Sequence, residues 1–413
     1  MNGVNLFRQI SITLAIMKKF YYLLDIIFLL AISSCAVKEQ RPMEMSQQLL
    51  KNRLDQLSIK AVNDLEKLPL NAKQIPRSLN SFGRLRGTNS KDWTSGFYSG
   101  TLWQLYDYSK NPRIKKGAEQ WMDFVEREKM DSTTHDLGFK VYCSFGQAWR
   151  ITQQESYKST INIAAATLAS RYSPITKAIR SWDHNTDKWD FPVIIDNMMN
   201  LELLLEASRL SLDSNLYHIA HQHAMTTIEN HFRKDHSSYH VIDFNPTTGA
   251  VQKRNTHQGF AHESAWSRGQ AWGLYGFTMA YRETKNPLFL QKAIDIAHFF
   301  FTHPNMPEDH IPYWDFNAND IPDAPRDVSA ATIAASGLLE LLQYDLKNKD
   351  QYLAWADSIL LSLEMSKYQS LKTPFFLSQS VGHFPRDSEI NTPIVYADYY
   401  YVEALRRRLG LNE

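Results

Sequence analysis

Apolar residues along the 413-residue chain recur at helical spacing for most of its length. In Phe191–Ser208, the residues Met198, Leu201, Leu204 and Leu205 fall at i, i+3, i+6 and i+7, which marks one buried face of an amphipathic helix. Asp196 and Asn197 open that helix, where their side-chain oxygens are expected to satisfy free amides. Met43–Leu68 predicts a first helix, and Pro69, Pro76 and the polar run 78–90 predict a loop after it. A unit then repeats: a loop carrying Asp, Gly or Trp, an apolar helix, a short turn and a returning amphipathic helix. The copies span 92–126, 135–152 with Ser156–Tyr172, Asp196–Leu210 with Leu216–Phe232, Arg268–Thr284 with Pro287–Thr302, and Asp327–Asp345 with Gln351–Ser366. Ala397–Leu409 predicts a last helix.

The count decides the architecture. Five hairpins supply ten helices, and the leading and trailing helices bring the total to twelve, or six hairpins if the two ends pair. The expected fold is all-α, a single (α/α)6 barrel over 36–413, with the loops before its inner helices gathered around one mouth. An open helical solenoid is the alternative. The long segments 172–195, 232–267 and 303–327 break the rule of short connections and are expected to carry function.

The amino terminus reads differently. Met17, Lys18 and Lys19 precede a short apolar run and small residues before Cys35, the layout of a secretory signal in 1–35. Ile32-Ser33-Ser34-Cys35 resembles a bacterial lipobox, which implies cleavage before Cys35 and lipidation of its thiol. The expected location is the periplasm or cell envelope, with a lipid anchor as the sole link to the membrane. Cys143 is the only other cysteine, so no intrachain disulfide and no cysteine-based metal site are expected. Lys+Arg 45 against Asp+Glu 44 leaves no basic excess for phosphate neutralisation, which argues against nucleic acid as a partner.

Candidate chemistry lies in the loops. Asp92-Trp93, His135-Asp136, Ser181–His184, Asp196, His240, His257-Gln258, Trp266–Arg268, Trp272 and His383 mostly precede or open an inner helix. Asp136 and Asp196 head neighbouring hairpins, so two carboxylates can face one cavity, as acid/base chemistry requires. Their repulsion raises one pKa and helix amino termini lower both, and the sequence leaves the winner open. Structural readings compete: Asp136 or Asp196 as a helix cap, and Trp272 as a core aromatic four residues after Arg268. His218, His221 and His223 lie on an outer helix, where no metal site is expected, and His231 and His236 are expected to be solvated. Neither a phosphate loop nor a nucleophile elbow is present.

HDLGF (135–139), the Asp196 segment, AWSRGQAWGLYG (265–276) and YADYYYVEAL (396–405) occur in that order. Together they resemble glycoside hydrolase family 88, the unsaturated glucuronyl hydrolases, from about Asp92 to Leu405. The resemblance implies the six-hairpin barrel and attack on the C4=C5 vinyl ether that lyases leave in a non-reducing uronic acid. Asp196 matches the family's catalytic acid/base, and Asp136 its second essential carboxylate. Trp93, Trp182 and Trp272 fall where the family stacks rings on sugar, and His135, His240, Gln258 and Arg268 where it binds the uronate. The forked donors of Arg268 suit a carboxylate. The implied partners are unsaturated uronate-containing oligosaccharides, with no cofactor and no metal. Two rivals remain at this point: an unsaturated rhamnogalacturonyl hydrolase of family 105, and a lipid-anchored glycan-binding protein without turnover. Leu377–Arg386 is expected to supply part of the neighbouring sugar's surface, with His383 and Arg386 meeting an anion or pairing with Asp387 or Glu389.

Overall fold

The computed structural model describes residues 44–411. The expected signal segment, 1–35, and its Cys35 lie outside them.

Twelve helices are found among the described residues. Outer helix α1 is Gln47–Lys67. The first hairpin is α2 (Phe97–Ser109) with α3 (Pro112–Asp123). Helix α4 runs as a π-helical half, Gly138–Gly146, into an α-helical half, Gln147–Thr152, and returns as α5 (Glu155–Ala169). Helix α6 starts as a 3-10 turn, Ile195–Asn200, continues through Leu201–Ser211, and returns as α7 (Ser214–His231). Then follow α8 (Ser267–Thr284), α9 (Pro287–Thr302), α10 (Val328–Leu341), α11 (Lys349–Ser362) and α12 (Val395–Arg408).

Four hairpins turn by one device. The inner helix ends on a left-handed residue, Lys110, Gln153, Leu212 or Lys285, and an extended residue then starts the outer helix. In Lys110-Asn111-Pro112 and Lys285-Asn286-Pro287 the Asn side chain accepts from the amide two residues on, and Pro occupies the first turn, where no N–H is missed.

The even-numbered helices form the inner ring. Each packs on its neighbours, α12 returns to α2, and α1 packs on α2, α3 and α12, so the ends of the described chain close the barrel. Every residue of α10 is buried. Close approach needs small residues at the seams: a Cβ on Gly276 would sit 2.5 Å from the Met198 Cβ, and one on Gly100 would sit 2.2 Å from the Cys143 carbonyl oxygen.

Short strands occupy segments where the sequence predicts loops. β1 (Ile75–Leu79) pairs with β2 (Leu85–Thr88), and β3 (Tyr172–Ser173) with β4 (Ala178–Ile179). β5 (Pro192–Ile194), β6 (Val241–Phe244) and β7 (Val251–Asn255) form an antiparallel sheet in that order. These strands build the mouth of the barrel.

Candidate active site

Strand β5 delivers Asp196 to the mouth. It pairs with β6, the Ile195 amide donates to the His240 carbonyl at 3.1 Å, and the chain then turns into the 3-10 start of α6. The expected capping role is absent: no side chain caps this helix, and Asn197 Nδ2 instead donates to the Ile179 carbonyl at 3.0 Å. Asp196 is 7% exposed, and burial pushes its pKa up to about 6. Arg268 and His135 oppose that rise, and Asp136 adds to it by repulsion.

His240 faces Asp196 as a neutral ring. Its Nδ1 accepts the backbone N–H groups of His257 and Gln258, both at 3.1 Å, so the ring proton sits on Nε2. That atom lies 3.7 Å from Asp196 Oδ2, beyond hydrogen-bond length. Burial, with His257 and Arg268 nearby, holds the His240 pKa well below its ordinary value, so the contact is not an ion pair. Both atoms are buried without a protein partner, as expected of groups that meet a ligand.

Asp136 lies opposite in character. The His135 amide donates to the Ser181 carbonyl at 3.0 Å, which fixes this loop beside Trp182. Asp136 Oδ1 is 3.2 Å from His135 Nε2, and Oδ2 accepts from Thr134 Oγ1 at 2.6 Å. Burial would raise its pKa, but His135, Thr134 and Lys140 outweigh burial and hold it below the usual carboxylate range. Lys140 itself is buried against Asp131 at 2.7 Å and Glu128 at 3.5 Å.

The aromatic residues divide. Trp182 stacks on His184 with ring centres 5.3 Å apart and meets Trp189 edge-on. Trp93 is half-buried on Phe97, Phe139 and Tyr396, the last with ring centres 4.9 Å away. Trp272 is a correction: it has no exposed surface and packs between Phe139 and Tyr400, so it forms the floor under the site rather than a face for sugar.

Arg268 is also corrected in part. It is 1% exposed, its Nη1 meets Asp327 at 3.3 Å and the Val381 carbonyl, and its Nη2 donates to the Gly382 carbonyl at 2.8 Å. Much of its fork therefore holds the segment before His383, and Gln258 Nε2 joins it on Gly382 at 3.1 Å. Its Nε has no protein partner, and the guanidinium lies over Trp266 and Tyr396. Ring contacts thus run from Trp93 through Tyr396 to Arg268, whose charge acts on Asp196, and from His240 through His257 to Trp182, which bridges to Thr134 two residues before Asp136.

Sequence reasoning missed the clamp around this mouth. Arg77 donates to both oxygens of Glu389 at 2.7 Å and meets Asp92 at 2.5 Å, tying β1 and the Trp93 loop to the loop carrying His383. Glu389 is therefore engaged by Arg77 and Ser78, not by His383 or Arg386. His383 packs against His257 with ring centres 5.0 Å apart. Two histidines expected to lie clear of the mouth or in solvent, His223 and His231, are fully buried. A separate cavity of about 310 Å³, lined by the later turns of the inner helices, contains Glu202, Arg282 and Glu403 but neither Asp136 nor Asp196. Among the described residues, no group of three or more His, Cys, Asp or Glu is arranged to hold a metal ion.

The model of Glycosyl Hydrolase Family 88 matches residues 71–295. An unsaturated glucuronyl hydrolase of Formosa agariphila is 43% identical over 403 residues, 96% of this chain and 99% of that protein. An unsaturated chondroitin disaccharide hydrolase of Streptococcus pyogenes is 33% identical, over 77% of this chain and 82% of its own. Among solved structures, an unsaturated glucuronyl hydrolase specific for heparin superposes with a TM-score of 0.85 at 42% identity, covering 89% of this chain and 98% of that one.

Proposed function

The chain belongs to glycoside hydrolase family 88, and on that premise we propose that Asp196 and Asp136 carry its reaction in unequal roles. The enzyme is an unsaturated glucuronyl hydrolase: it releases Δ4,5-unsaturated uronic acid from the non-reducing end of lyase-generated oligosaccharides by hydrating the C4=C5 vinyl ether. One observation carries the division of labour: Asp196 Oδ2 is buried without a protein partner, whereas Asp136 is held by Thr134 and His135, which drives the pKa values apart, Asp196 up to about 6 and Asp136 below the usual range.

Protonated Asp196 gives its proton to C4, and the ring oxygen stabilises the positive charge that develops at C5. Water then adds through oxygen at C5 while the Asp196 carboxylate takes its proton, which restores the acid. The C5 hemiketal opens, the anomeric bond gives way and the uronate leaves as a keto acid. One water is consumed, with hydrogen on C4 and hydroxyl on C5. Ionised Asp136 accepts hydrogen bonds from ring hydroxyls, Trp93 and Trp182 bracket the sugar, and Arg268 Nε and His135 face the uronate. Loss of absorbance at the conjugated double bond tests this, with turnover by wild type and none by Asp196→Asn.

The substrate class is glycosaminoglycan-type, and unsaturated disaccharides from heparin head the panel because a 42% identical structure is described as specific for heparin. Faster turnover of chondroitin-derived disaccharides would reverse that order. The lipobox ending at Cys35 supports a lipid-anchored protein of the periplasm or cell envelope. Labelled fatty acid should enter the wild-type chain and not Cys35→Ser; equal labelling would remove the anchor.

A further inference from the structure

We propose that His223 and His231, on outer helix α7, are positioning residues that set the spacing of Asp136 and Asp196 from behind. The proposal rests on the roles given to those carboxylates above. His223 Nδ1 accepts the Ile179 amide at 3.0 Å, and the carbonyl of the same residue accepts from Asn197 Nδ2 at 3.0 Å. Ile179 is thus held between α7 and the residue that follows Asp196. Two residues further on, Ser181 joins both carboxylate segments. Its carbonyl accepts the His135 amide at 3.0 Å, its amide donates to the Pro192 carbonyl at 2.8 Å, and its Oγ accepts the Ile194 amide at 3.0 Å. His231 Nε2 lies 3.1 Å from the Val193 carbonyl, three residues before Asp196.

The two imidazoles do opposite work. A carbonyl only accepts, so His231 carries its proton on Nε2 and donates it. An amide only donates, so His223 must keep a lone pair on Nδ1. Burial lowers their pKa values to about 4 and about 3, which keeps both rings neutral and this pattern intact. Losing either bond would strand a buried backbone group and let the Ser181 segment shift, and a displacement of about 1 Å at a reacting group costs rate on the order of 100-fold.

A role in packing and a role in positioning separate in a crossed set of variants. The Asn side-chain oxygen superposes on histidine Nδ1, and the Gln side-chain nitrogen on histidine Nε2. His223→Asn and His231→Gln therefore preserve the bonds, whereas His223→Gln and His231→Asn misplace them. On an unsaturated disaccharide, the first pair should keep kcat within about threefold, and the second pair should lose about tenfold or more with KM within twofold. Asn197→Leu, which breaks the strap from the other side without touching α7, should lose kcat alike. Equal kcat for the Asn and Gln variants of the same histidine, or changes in Tm alone, would overturn the positioning role. Wild type silent on every unsaturated uronide would overturn the catalytic roles and this proposal with them; wild type active without the crossed pattern would overturn the positioning role alone.

Discussion

Asp136 and Asp196 are the same residue type, each placed at the start of an inner helix of the same ring, and their environments push them in opposite directions. Asp196 meets His240 Nε2 only at 3.7 Å and keeps Oδ2 without a protein partner, so burial dominates. Asp136 is half-buried, and Thr134 and His135 stabilise its charge locally. The difference teaches that a carboxylate is made into an acid by what is withheld from it. The sharpest way to break the comparison is Asp196→Asn, which should lower kcat by roughly 1,000-fold or more by removing the proton donor, measured by double-bond absorbance. A loss under tenfold would make the two carboxylates equivalent and end the assignment.

Asp136→Asn should cost less, about 100-fold in kcat/KM, because it removes a binding group and not the proton. It should also move the alkaline limb of the pH–rate profile downwards, since Asp136 repulsion helps to raise the Asp196 pKa. An unmoved limb would mean that burial alone sets that pKa.

Stability should separate the pair in sign. Asp196 rises from 3.8 to about 6 in the folded chain, so folding favours its protonated form. Its contribution is fully present below the unfolded pKa and is lost as pH rises through about 6, a penalty of roughly 3 kcal/mol at neutral pH. Asp136 is depressed, so its contribution is present above the unfolded pKa and is lost as pH falls through its folded value. At pH 7.5, Asp196→Asn should therefore melt above wild type and Asp136→Asn below it. Melting shifts of the same sign would show that the two sites do not differ in this way.

The same contrast marks what a sequence discloses. The hairpins were legible because each is announced locally, by an apolar period of helical length and by turns such as Lys110-Asn111-Pro112. Asp196 stood out as a lone carboxylate after an apolar run. The strands were not legible: β3 and β4 are two residues each, and β5 finds its partner 47 to 51 positions away, from Ile194 with Val241 to Pro192 with Asp243, through backbone bonds that no side-chain period reports. Trp272 was misread because a wall and a floor have the same spacing on an inner helix; only the packing of Phe139 and Tyr400 distinguishes them. The Arg268 fork was misread because carbonyls 113 and 114 residues away occupy it. On an outer helix His231 reads as solvated and His223 as clear of the mouth, yet both rings bond inward to loop backbone.

The smallest expected effect is the most selective. Thr134→Val keeps the size of the side chain and deletes the hydroxyl that donates to Asp136 Oδ2 at 2.6 Å. A bond to the charged form favours that form, so its loss should raise the Asp136 pKa and shift the acid limb of the profile to higher pH. At neutral pH Asp136 remains ionised, and kcat should stay within about twofold of wild type. Asp196 has no bond to Thr134, so the alkaline limb should stay in place. Movement of the acid limb alone would show that local hydrogen bonding keeps Asp136 charged. Movement of both limbs would show that the two carboxylates titrate as one coupled pair, and the separate roles would then need restating as properties of the pair.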